Sequence, residues 1–103
     1  MTPIQWSDKA IEDLRHYGQF IAQSNPLNAV RYVELFFDRV ESLLETFPES
    51  GKSRTELPIS NIRELVIDTS KIFYHYEDNS VTIVTVRNSS EQLSTNVLLA
   101  YLK

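Results

Sequence analysis

The sequence has no cysteine, which excludes a disulfide framework, a thiolate metal centre and a cysteine nucleophile. Only two glycines and four prolines occur in 103 residues. No glycine-rich phosphate loop, dinucleotide fingerprint, nucleophile elbow, internal repeat or low-complexity stretch is present. Apolar runs are only a few residues long, and the start lacks a basic region followed by an apolar one, so neither a membrane span nor an export leader is expected. The expected location is the cytoplasm. An excess of positive charge is missing as well: ten Lys+Arg stand against fourteen Asp+Glu, giving a net charge of -4 and a pI near 5.1. That balance argues against direct binding of DNA through bulk phosphate attraction and favours a protein target.

What is present is ordinary globular composition, 42% hydrophobic and 23% charged, enough for one core in a single domain spanning residues 1–103. Thr2 to Trp6 alternates as a short strand. Ser7 is then an N-cap with Asp8 in the first turn, and Ala10, Ile11, Leu14, Tyr17, Ile21 and Ala22 recur at helical spacing. Asn25-Pro26 reads as the cap and first position of a second helix. In that helix Val30, Val33, Phe37, Val40, Leu44 and Phe47 form the stripe, with Ala29, Phe36 and Leu43 widening the face, and Pro48 and Gly51 end it. Gly51 to Asn61 reads as a connecting loop. Ile62 to Asp68, Lys71 to Tyr76 and Val81 to Asn88 are rich in β-branched and aromatic residues, separated by turn formers. The expected fold class is α+β: an N-terminal strand, a helical hairpin, then a three-stranded antiparallel meander in two layers. Glu91 to Lys103 fits either a helix or a strand.

Little in the chain marks catalysis. His16 and His75 lie on different elements without metal-ligand spacing, so no metal and no cofactor are expected. His75, between Tyr74 and Tyr76, reads as a half-buried strand residue facing away from both tyrosines. The acid pairs Glu12-Asp13 and Glu77-Asp78 read as a solvated helix face and a turn, and Phe36, Phe37, Phe47 and Tyr17 as core. Acidity is concentrated in residues 1–51, with four basic and eight acidic side chains, whereas residues 52–103 have six of each. Arg63, Lys71 and Arg87 fall on three successive strands, where convergence would supply the cations that metal-free RNA cleavage requires beside a general base and acid.

The order of these parts resembles the RelE/ParE superfamily of toxin–antitoxin toxins, most closely its ParE-like branch. The carrying segments are Ile4-Gln-Trp6, Ala10-Ile-Glu-Asp-Leu14, Asn25-Pro26, Phe47-Pro48 with Gly51, Ile62-Arg-Glu-Leu65, Ile72-Phe-Tyr74 and Val81 to Asn88. The resemblance implies a small toxin held inactive by a cognate antitoxin. ParE-like members of the superfamily act on DNA gyrase, and RelE-like members cleave messenger RNA in the ribosome. The nuclease pattern matches Lys71, with Arg63, His75 and Arg87 as further candidates, but Ser89 to Leu93 contains no basic residue, and the next tyrosine is Tyr101. The ParE-like, gyrase-directed reading is therefore favoured over a ribosome-dependent nuclease and over a non-toxic member that only binds its antitoxin. The antitoxin is expected on the apolar C-terminal positions Val97, Leu98, Leu99, Tyr101 and Leu102.

Overall fold

A computed structural model describes residues 1–55, 57, 60–89 and 100. The chain runs β1 (Ile4–Trp6), α1 (Asp8–Ser24), α2 (Ala29–Thr46), β2 (Lys52–Ser53), β3 (Ile62–Ile67), β4 (Ser70–Glu77) and β5 (Ser80–Asn88). The strands form one sheet in the order β1-β5-β4-β3-β2, and β1 runs parallel to β5 while every other pair is antiparallel. The α+β reading holds. The structure adds β2, because Lys52 and Ser53 lie opposite Glu64 and Arg63 within the stretch expected to be loop only.

Local chemistry explains most boundaries. Ser7 caps α1 by accepting the Ala10 N–H at 3.0 Å. The start of α2 differs from the sequence expectation, since Asn28 rather than Asn25 is its N-cap. Asn25 is still occupied by α1, its N–H donating to the Ile21 carbonyl, while its own carbonyl accepts from Asn28 N–H. Pro26 therefore sits inside a turn, where its fixed φ is equally suitable. The β4–β5 connection places Asp78 and Asn79 both at positive φ, 51° and 63°, the left-handed pair of a two-residue hairpin that Asp and Asn tolerate.

The core lies between the hairpin and one sheet face. Leu14, Phe36, Val40 and Leu44 meet Ile67, Ile72, Tyr74, Val81, Ile83 and Val86 there. Of the expected apolar face of α2, Ala29, Phe36, Val40 and Leu44 are inside, whereas Phe37 is half-buried and Val30 is exposed. Phe37 stacks on Trp6, ring centres 4.8 Å apart. Phe47 is also outside the core, at 61% exposure. It follows the last helical residue, at the α2 C-cap, where the helical phase no longer aims its ring inward.

Asp13 departs from its expected place on a solvated face. It is buried, accepting from the Thr85 hydroxyl at 2.5 Å and the Val86 N–H at 3.0 Å, with Lys9 as ion-pair partner. The register jumps between Phe73 and Tyr74, leaving Val84 without an opposite residue on β4. Asp13 thus holds α1 against the bulge and supplies an acceptor for a backbone donor on β5 that β1 does not reach.

Candidate functional site

The four residues nominated for chemistry divide into two groups. Lys71 and Arg87 are direct cross-strand neighbours on β4 and β5. Arg63 is opposite Tyr74, on the alternate face, with Leu65 and Ile67. His75 pairs in register with Ile62 and Thr82, and its Nε2 lies 3.4 Å from a Glu77 carboxylate oxygen. The three arginine and lysine side chains therefore do not form one cluster.

Arg63 has a visible structural task. Its guanidinium donates to the Gly51 carbonyl at 2.8 Å and the Glu49 carbonyl at 3.0 Å. Tyr74 completes the same lock from below: its hydroxyl donates to the Pro48 carbonyl at 2.8 Å and accepts the Gly51 N–H at 2.9 Å. Burial pushes the Tyr74 hydroxyl above its ordinary pKa, while the Gly51 N–H and the Arg63 charge act in the opposite direction. A Cβ on Gly51 would come within 2.7 Å of the Tyr74 ring and hydroxyl and 3.0 Å of the Glu64 carbonyl. Only glycine fits that approach. Tyr74 reads in sequence as ordinary sheet packing; the signal that distinguishes it is the combination of Pro48-x-x-Gly51 with an arginine and a tyrosine that meet across β3 and β4.

On the sheet face bearing Lys71 and His75, charge is mostly positive. Arg54 pairs with Glu64 and lies 5.9 Å above the Phe73 ring, and Lys52 is opposite Glu64. A polar cleft of about 720 Å³ opens beside the lock, lined by Glu49, Arg54, Arg63, Tyr76, Glu77 and Asn79 among others. Among the described residues no group of three or more His, Asp or Glu is placed to hold a metal ion, and no helix is long and apolar enough to cross a membrane. The C-terminal positions Val97, Leu98, Leu99, Tyr101 and Leu102 lie outside the described residues.

The same arrangement of a helical hairpin on one face of a sheet is found in solved structures of toxin–antitoxin systems. Solved structures with it include the chromosomal ParDE toxin–antitoxin system of P. aeruginosa, with a TM-score of 0.70, 18% identity, and coverage of 85% of this chain and 96% of that one. The RelBE2 toxin–antitoxin complex of Mycobacterium tuberculosis matches at a TM-score of 0.56 and 19% identity, over 84% of this chain and 96% of that one. At the level of sequence, Toxin RelE2 of Caulobacter vibrioides is 31% identical over 91 residues, covering 87% of this chain and 98% of the relative. Residues 4–93 match the family model of the ParE toxin of the type II toxin–antitoxin system parDE, and the chain belongs to that family.

Proposed function

We propose that this chain is the toxin of a pair neutralised by a cognate antitoxin, and that it acts by binding a protein target, DNA gyrase, rather than by cleaving messenger RNA. The solved relatives are named as toxin–antitoxin systems or complexes, which supports the antitoxin partner. The observation favouring binding over hydrolysis is the engagement of Arg63, whose guanidinium holds the carbonyls of Glu49 and Gly51. Metal-free RNA cleavage needs cations converging with proton-transfer groups at one phosphate. Here Lys71 and Arg87 are at one end of the β4–β5 pair, and His75 pairs with Glu77 towards the other. A binding surface needs no such convergence. Purified gyrase supercoiling and mapping of messenger 5′ ends after induction separate the two mechanisms. Inhibited supercoiling without ribosome-dependent cuts is the expected outcome; codon-linked cuts with unaffected gyrase overturn it.

A further inference from the structure

The helical hairpin buries one side against the sheet and leaves an apolar groove on the other. This groove, of about 470 Å³, runs between α1 and α2 and is lined by Gly18, Ala22, Val30 and Val33, with Arg15 and Glu34 among its rim residues. Arg15, Val30 and Glu34 are exposed, so it opens to solvent. Val30 stands out at 71% exposure, and Ile11, half exposed, continues the α1 side of the groove at helical spacing to Arg15 and Gly18.

The two helices touch where a Cβ on Gly18 would lie 3.1 Å from a Val33 methyl. Because they run antiparallel and rise about 1.5 Å per residue, that contact fixes the heights of the other groove residues. Towards the turn at Asn25 to Asn28, Val30 lies at a level between Gly18 and Ala22. Away from it, Arg15 and Glu34 lie at levels within about 3 Å of each other on opposite helices. The face therefore carries a knob on α2 level with a small-residue depression on α1, and a cation on α1 level with an anion on α2. A two-fold axis along the groove would lay α1 of a second copy antiparallel over α2 of the first at unchanged height, which brings each knob to a depression and each cation to an anion. Arg15 already pairs with Glu12 on its own helix, and a guanidinium with five donors can hold a second carboxylate. Among the described residues Glu34 makes no ion pair.

We propose that the outer face of the hairpin pairs two copies of this chain about that axis, Val30 of each copy entering the Gly18–Ala22 depression of the other and Arg15 of each meeting Glu34 of the other. The occupant is a second copy because every complement the face requires is on the face itself, at the matching height. Helices of 17 and 18 residues present roughly 500 Å² per copy, the low end for specific association. The dimer is accordingly weak, with a dissociation constant on the order of 10–100 µM.

Sedimentation of the intact chain from about 1 to 500 µM tests this, the range being set around that constant. The wild type is expected to pass from monomer to dimer mass, and Val30→Glu, which puts a charge into the depression, weakens the dimer about tenfold or more. Arg15→Glu and Glu34→Arg each place like charges together twice in the dimer and weaken it about tenfold, whereas the doubly reversed chain returns to within about threefold of wild type. All three positions are exposed, so melting at the lowest concentration stays near wild type. Should Val30→Glu fail to fold, the reversal series decides alone. A chain that stays monomeric throughout overturns the proposal, as does a dimer indifferent to Val30→Glu. Two weakening reversals without rescue in the double variant overturn it too, because they remove the two-fold register.

Discussion

A single hydroxyl sets the path of the chain after α2. Tyr74 Oη holds both the Pro48 carbonyl and the Gly51 N–H, so Tyr74→Phe strands two polar groups and costs about 1–3 kcal/mol. Gly51→Ala reaches the same contact from the other side, forcing a Cβ to within 2.7 Å of the Tyr74 ring, and costs about 1–3 kcal/mol by overpacking. Since both changes act on one contact, the double variant loses less than the sum of the singles; urea unfolding of the four proteins measures the difference. The same hydroxyl carries a pH signature. Its pKa is raised by burial above 10.0, so the native state holds this proton more tightly than the unfolded chain does. The contribution is complete below about pH 10 and is lost as pH climbs through the native value. Tyr17, raised by burial and then by the Asp68 carboxylate, acts in the same direction. The urea midpoint is therefore expected to fall above pH 10, less steeply in Tyr74→Phe, with Tyr17 supplying the remaining slope.

At the scale of elements, packing rather than periodicity decides which aromatic of α2 carries stability. Phe36 is buried and meets Tyr17 with ring centres 5.3 Å apart, so Phe36→Ala costs about 3–5 kcal/mol. Phe37 is half-buried on Trp6 and its truncation costs less. Val30, 71% exposed, is expected to change stability by under about 0.5 kcal/mol when cut to alanine. Chemical denaturation of the three variants ranks them, and an equal cost for Phe36 and Phe37 contradicts the burial assignment. Sequence periodicity identified α2 but placed its stripe too far towards Val30. Val30 and Phe36 both sit at spacings compatible with Val40 and Leu44, and only the sheet determines which is covered. The hairpin from Glu77 to Ser80 was legible, because Asp78-Asn79 specifies its own turn. The two-residue β2 was not, because its pairing follows from the long-range grip of Arg63 and Tyr74 on the loop. Asp13 was illegible for the same reason: its partners Thr85 and Val86 are 72 and 73 residues away.

Across the whole molecule, charge is divided by layer. The N-terminal half that includes both helices holds eight acidic and four basic side chains, and the balanced remainder places Lys52, Arg54, Lys71 and Arg87 on β2 to β5 or the adjoining loop. Lys71 and Arg87 are directly opposite one another on β4 and β5, which concentrates positive charge on that face of the sheet. Two roles compete. As phosphate ligands in a nuclease, each cation would act on developing charge, and losing one such group typically costs about 100-fold or more in turnover. As part of a recognition face for an acidic partner segment, each contributes chiefly to association rate and partner choice. The second role predicts that Lys71→Ala and Arg87→Ala remain folded and arrest growth at nearly the wild-type inducer dose. Neutralisation by the antitoxin then becomes slower and more sensitive to salt. Titrating inducer with and without antitoxin reads both effects in one experiment. Loss of growth arrest in a folded Lys71→Ala chain, together with loss of ribosome-dependent messenger cuts made by the wild type, would transfer these cations to catalysis. Retained arrest with unchanged neutralisation would remove them from the interface as well.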